Sequence, residues 1–249
     1  MELEHIRLTF NKRSPNEKTV FDDFSLKINA QDFVLVTGGN GSGKSTLLNL
    51  IAGNVRQDSG RILFDGTDIS GLTDYERSRW ISRIFQNPLA GTVSELSILE
   101  NFRLASRRTK RKGLSIGLNE KFRREVRDRI AQLGLGLEDR LDLEMGHLSG
   151  GQRQALSLIM AIMDETKLLL LDEPAAALDP KTSVLIMKLA DEVIMKYKLT
   201  AILVTHRLSD VPKYGNRIIQ LQDGKIIRDL QKEEKDRLQP DEISGWFTQ

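Results

Sequence analysis

The chain has 249 residues, 29% of them charged, with a formal net charge of only +2; the length suits one large domain or a core with a subdomain, and the balance excludes a whole-molecule field aimed at nucleic acid. With no cysteine there is no disulfide framework, thiolate metal site or cysteine nucleophile, which fits a reducing compartment. No apolar run approaches the roughly eighteen residues that cross a bilayer, and the acidic start Met1-Glu2-Leu3-Glu4-His5 is not expected to be a secretory signal.

In chain order, polar and apolar residues alternate in Ile6-Arg7-Leu8-Thr9-Phe10 and in Phe24-Ser25-Leu26-Lys27-Ile28, on either side of the turn-rich stretch from Asn11 to Lys18. That pattern predicts antiparallel strands. The apolar run Phe33-Val34-Leu35-Val36 then leads into Gly38-Gly39-Asn40-Gly41-Ser42-Gly43-Lys44-Ser45, followed by Thr46-Leu47-Leu48-Asn49-Leu50-Ile51. Strand, glycine loop and helix in that order predict a phosphate cradle. Glycines let successive N–H groups turn inward at the positive end of a helix. Lys44 is placed to reach the β- and γ-phosphates of a nucleotide, and Ser45 to hold Mg²⁺. A turn that merely links strand to helix is the plain alternative. Gly53 and Asn54 stop the helix, and strands follow around Arg61-Ile62-Leu63-Phe64, before the Asp65-Gly66 turn, and around Ile81 to Phe85.

From Glu95 to about Glu165 the period becomes helical: Phe122, Val126, Ile130 and Leu133 share one face, as do Ala155, Leu158, Ile159 and Ile162. A helical subdomain inserted into an α/β core is expected, with limits near Asn87 and Lys167. Within it, Leu148-Ser149-Gly150-Gly151-Gln152 precedes a helix beginning near Arg153 and forms a second anion cradle. One nucleotide does not need two cradles so distant in sequence. A head-to-tail dimer, with Ser149 of one chain facing the phosphate loop of the other, resolves this, although the pentapeptide alone also reads as a helix-capping turn.

Leu168-Leu169-Leu170-Leu171 predicts a strand buried on both faces, with Asp172 and Glu173 at its carboxyl end, where ligands sit in open α/β sheets. Adjacent acids there suit a cation shell for Asp172 and polarisation of the attacking water for Glu173; a plain strand exit before Pro174 is the alternative. A helix over about Lys181 to Lys198, a strand over Thr200 to Val204, a hairpin around Gln222-Asp223-Gly224 and a charged helical tail from Gln231 complete the chain. Strand, helix, strand implies parallel pairing.

Together these residues resemble the nucleotide-binding subunit of an ABC transporter over essentially the whole chain. The resemblance implies an α/β fold: a P-loop NTPase core of ABC ATPase type (residues 1–86 and 167–249) with an antiparallel β subdomain and an inserted α-helical subdomain (87–166) bearing the signature Leu148 to Gln152. It implies nucleotide contacts from Phe10, stacked on adenine, and from Asn40, Gly41, Ser42, Gly43, Lys44, Ser45 and Thr46. Further contacts come from Ser149, Gly150, Gly151 and Gln152 of the signature and from Asp179 of the D-loop. Ser45, Gln86 and Asp172 would hold Mg²⁺; Glu173, His206, Lys44 and Gln86 would serve catalysis, with Gln86 also the hinge to the helical subdomain.

The implied activity is ATP hydrolysis powering a membrane transporter from the cytoplasmic face. Expected partners are a second copy closing around two MgATP, permease subunits and, indirectly, a substrate-binding protein, with no nucleic acid. Gly134-Leu135-Gly136-Leu137-Glu138-Asp139-Arg140, the stretch from Gly146 to Ala155, and Gly215-Asn216-Arg217 resemble an importer group for amino acids, including tryptophan-like ones. An exporter subunit, or a non-transport ABC ATPase acting on nucleic acid or protein assemblies, is the competing reading. Three departures from the family pattern stand out: Gly39 in place of proline or serine, Ala175 and Ala176 in place of hydroxyl residues, and extra length containing Arg107-Arg108-Thr109-Lys110-Arg111-Lys112. The basic run reads as a solvated loop, with contact to anionic lipid or a permease loop as the alternative.

Overall fold

The computed structural model describes residues 1–107, 118–239, 242–243 and 246; the basic run beyond Arg107 lies outside them. β1 (Glu2–Phe10) and β2 (Lys18–Lys27) pair antiparallel, and their alternation turns Leu3, Ile6, Leu8, Phe21, Phe24 and Leu26 into the core. All five residues of β3 (Phe33–Thr37) are buried. It feeds α1 (Lys44–Ala52), which Gly53 ends at φ 88°, donating its N–H to the carbonyls of Asn49 and Leu50. β4 (Ser59–Phe64) pairs with the other edge of β1, and the two-residue β5 (Thr67–Asp68) pairs with β4.

The four-residue α2 (Asp74–Arg77) starts at a reciprocal cap between Thr73 and Glu76. Its buried Arg77 donates to the Leu50 carbonyl at 2.7 Å and the Ile51 carbonyl at 3.1 Å, satisfying the otherwise orphaned end of α1. β6 (Ile81–Ile84) precedes α3 (Ile98–Ala105) and α4 (Glu120–Ala131), whose buried face is Phe122, Val126 and Ile130 as the spacing predicts. α5 (Gly150–Ala161), β7 (Leu168–Asp172) and α6 (Pro180–Tyr197) follow, then β8 (Thr200–Val204), the hairpin β9 (Arg217–Gln222) and β10 (Lys225–Gln231), and α7 (Lys232–Lys235).

The chain divides into two compact units. One comprises Met1–Ser78 with Lys198–Gln249. It holds the antiparallel sheet β2-β1-β4-β5, and also β3 paired parallel with both β8 and β9, β9 being antiparallel to β10. The other, Arg79–Tyr197, holds the parallel pair β6 and β7 with α3 to α6. Among the described residues no helix is long and apolar enough to cross a membrane.

Candidate functional site

The first unit carries the predicted phosphate loop. β3 pairs with β8 so that Val36 lies opposite Val204, and both strands therefore release their following loops at one carboxyl edge. Gly38 to Ser45 leaves from β3, and Thr205-His206 from β8. A Cβ on Gly38, whose φ is 143°, would stand 2.2 Å from the Leu221 carbonyl oxygen, so only glycine allows the chain to turn there. Gly41 and Gly43 are also left-handed, at 77° and 106°.

The N-cap of α1 is Gly43, which offers no side-chain oxygen to cap the helix start. Lys44 is buried and its ammonium donates to the Gly38 and Gly39 carbonyls, each at 2.8 Å. Ser42 Oγ is buried with no hydrogen-bond partner among the described residues, a polar atom awaiting a ligand. Asn40, Gly41 and Ser45 are exposed and Thr46 is half-buried. Beside the loop a cavity of about 210 Å³ is lined by residues including Asn40, Ser42, Arg228 and Trp246. Phe10 ends β1 half-buried, so its ring is neither sealed in the core nor fully in solvent.

His206 is exposed, and its loop is anchored on both sides. Thr205 N–H donates to the Val36 carbonyl at 3.3 Å, and Thr205 Oγ1 accepts from Arg207 N–H at 3.0 Å while donating to the buried Asp210 carboxylate at 3.3 Å. Burial pushes the Asp210 carboxyl above its usual range, against the lowering effects of Arg207, Thr205 and Lys213.

The second unit carries the acids and the glycine turn. Ile84 lies opposite Leu171 in the β6 and β7 pair, so Gln86 and Asp172-Glu173 emerge from one edge. Asp172 Oδ2 accepts from Arg83 Nη2 at 2.6 Å, and Arg83 lies over the Phe85 ring at 4.9 Å. Glu173 holds φ at 46°, a left-handed conformation that costs a non-glycine residue about 1–3 kcal/mol and tends to cluster at functional sites. Gln86 is exposed, and the carbonyl before it, that of Phe85, accepts from Gln154 Nε2 at 3.0 Å.

Ser149 and Gln152 cap α5 reciprocally: Ser149 Oγ accepts from Gln152 N–H at 3.2 Å, and Gln152 Oε1 accepts from Ser149 N–H at 3.1 Å. The capping reading of this turn is therefore realised in the single chain. Its glycines also serve packing, since a Cβ on Gly151 would stand 2.2 Å from Thr182 Cγ2 of α6. Asp179 Oδ1 accepts from the N–H groups of Lys181 and Thr182, each at 3.1 Å. Hydrogen bonding at Thr182 leads the causes that hold its carboxyl below the usual range.

The predicted residues thus fall into two sets: Phe10, Gly38 to Thr46 and His206 on the first unit, and Gln86, Ser149 to Gln152, Asp172, Glu173 and Asp179 on the second. Arg83, Gln154 and Asp210 are not anticipated from sequence motifs. A charged residue inside the short buried strand Ile81 to Ile84 was the one signal for Arg83.

A family model described as ABC transporter matches residues 21–176. A tyrosine transport ATP-binding protein of Clostridioides difficile is 38% identical over 247 residues, covering 99% of this chain and 98% of that relative. The thiamine import ATP-binding protein ThiQ of a Chelativorans species is 36% identical over 207 residues, covering 83% and 79%. Among solved structures, the dimeric cassette MJ0796 in a post-hydrolysis state with ADP and Pi is 28% identical with a TM-score of 0.78, over 93% of this chain and 98% of that one. CbiO1 of Clostridium perfringens, part of a cbiONQ transporter complex, is 26% identical with a TM-score of 0.77, over 98% and 90%.

Proposed function

The chain belongs to the ABC transporter family and is an ATP-binding, ATP-hydrolysing transporter subunit, and from that premise we propose that it drives import of an aromatic amino acid. What supports the substrate class is the nearly end-to-end match with the tyrosine transport relative. The ATPase site itself rests on the phosphate loop: an uncapped helix start, a lysine on loop carbonyls and a buried hydroxyl without a partner.

In this reading two copies close around two ATP molecules and reopen after hydrolysis. The N–H groups from Asn40 to Thr46 hold the phosphates, and Lys44 exchanges its bonds to the Gly38 and Gly39 carbonyls for phosphate oxygens. Phe10 offers its half-buried ring to adenine. Ser149 to Gln152 and Asp179 act at the closed site, the glycine turn facing the phosphate loop of the second copy. Glu173 takes the proton of the attacking water, and His206 donates to the γ-phosphate.

On the second unit Asp172 fits a divalent cation, since its Oδ1 accepts no hydrogen bond among the described residues, Oδ2 alone being engaged; on the first unit Ser45 is exposed. Hard oxygens in small number suit a cation that keeps most of its waters and its phosphate ligands. Ser45, Gln86 and Asp172 would hold the ion, which supplies neutralisation of developing phosphate charge.

A groove of about 350 Å³ in the second unit is lined by residues including Arg83, Phe85, Val93 and Leu104. It begins beside Gln86 and provides a surface for a permease subunit at the membrane. Gln86 then reports the state of the nucleotide to that subunit.

Two measurements test this. Glu173→Gln is expected to keep ATP binding, lower turnover at least about 100-fold and accumulate dimer on size exclusion; near-normal hydrolysis contradicts the assignment. For substrate, ATPase activity is measured with the co-purifying permease in vesicles and its binding protein loaded with tyrosine, tryptophan or lysine. Stimulation by the aromatic amino acids is expected. Stimulation by nucleic acid, with no permease recovered, reverses the transport reading.

A further inference from the structure

Arg83 stands in a strand whose other residues are Ile81, Ser82 and Ile84. The register sets Arg83 opposite Leu170 and Ile84 opposite Leu171, so Arg83 and Asp172 project from the same face of the pair, two positions apart. Their side chains are only 12% and 15% exposed and meet at 2.6 Å through a single carboxylate oxygen, Oδ2. Phe85 lies under the guanidinium at 4.9 Å to the ring centroid. A charge pair so withdrawn from water is screened by salt less than an exposed one.

One carboxylate oxygen is thus pinned by a fixed cation while Oδ1 is left to a ligand. Resting on the reading of Asp172 as a cation ligand, we infer that Arg83 is a positioning residue that sets the divalent-cation affinity of the ATPase site. It fixes the carboxylate with Oδ1 presented, and its positive charge opposes a second cation there. Carboxylate attraction alone is then too weak, and the ion is retained only together with nucleotide phosphates. Removal of the guanidinium leaves Asp172 on a paired strand end, so the electrostatic gain outweighs the loss of orientation. A purely structural tie between β6 and β7 would change stability and leave cation affinity alone.

The test titrates Mn²⁺ into the full chain with a non-hydrolysable ATP analogue and reads free Mn²⁺ by electron paramagnetic resonance. Arg83→Met is expected to tighten Mn²⁺ binding about tenfold, by removing a like charge from a weakly screened site, with the gain little changed by added salt. Arg83→Lys, which keeps the charge, should stay within about twofold of the parent. Unchanged or weaker Mn²⁺ binding in Arg83→Met overturns the inference. If that variant does not fold, Arg83→Gln takes its place, and failure of both neutral variants to fold means that the pair is structural and overturns it too. Asp172→Asn separates the two levels of the reading. Loss of Mn²⁺ binding there supports Asp172 as ligand, whereas binding equal to the parent removes the metal assignment itself, whatever Arg83 does.

Discussion

Among the described residues the helix starts at Gly43 and Ser149 both carry glycines, and they are finished differently. At Gly43 the helix opens with no capping side chain, a left-handed glycine and a buried Ser42 hydroxyl without a partner among the described residues. At Ser149 the helix opens with both members of the reciprocal cap in place, and its glycines make room for Thr182 and Leu178. A helix end without a capping side chain leaves room for a ligand to take that place. A finished end folds by itself and needs a second reason to be functional. The phosphate loop can therefore be argued from one chain, whereas the Ser149 turn acquires a ligand role only if another surface meets it.

The contrast can be broken most severely at Gly38. Gly38→Ala puts a methyl against the Leu221 backbone oxygen at a left-handed φ, and the strain alone is worth about 1–3 kcal/mol. Binding of a fluorescent ATP analogue should be lost, and the melting temperature should fall.

Next comes Gly151→Ala, which crowds the Thr182 methyl and should destabilise by about 1–3 kcal/mol. Thr182→Ala in the same chain should restore stability. If ATPase activity returns with it, the glycine serves packing only. If stability returns without activity, the turn has a ligand role as well.

Ser149 gives a finer division. Ser149→Ala should cost about 1 kcal/mol through the lost cap. Ser149→Asp keeps a capping oxygen and should keep the melting temperature, yet lose ATPase activity if this turn meets the phosphates of a second copy.

The smallest effect concerns the anchor of the His206 loop. Burial raises the folded-state pKa of Asp210, so its contribution to stability is fully present below the unfolded carboxyl pKa and is lost as pH rises through the folded one. Asp210→Asn can still accept from Thr205, and should leave melting at neutral pH unchanged or slightly higher while removing this slope. A marked fall at neutral pH means that the carboxylate charge is needed, through Arg207.

Most of the elements were legible because their signals are local. The glycine spacing before Lys44, the face Phe122, Val126 and Ile130, and the apolar run Leu168 to Leu171 each identify an element within a few residues. The helix expected from Lys181 to Lys198 is observed from Pro180 to Tyr197. α2 and β5 were not anticipated, since four and two residues are too few to show a period, although Thr73 and Glu76 stand at capping-box spacing. Arg77 reads as an ordinary charge in sequence and is in fact buried against the end of α1.

By itself the sequence pointed to a held nucleotide phosphate, because a phosphate loop is built from consecutive backbone N–H groups and needs only glycines, a lysine and a helix start in order. Its motif order also sufficed to indicate the family. Tertiary structure alone decided which groups are already spoken for. That Asp172 shares a carboxylate oxygen with Arg83, 89 residues away, follows from the register of β6 on β7, and register depends on the packing of both strands. The same holds for the Ser149 turn: its residues allowed a cap or a cradle, and the backbone closed the cap. Hydrogen-bond capacity is written in the residues, but its assignment waits on which partners the fold brings within reach.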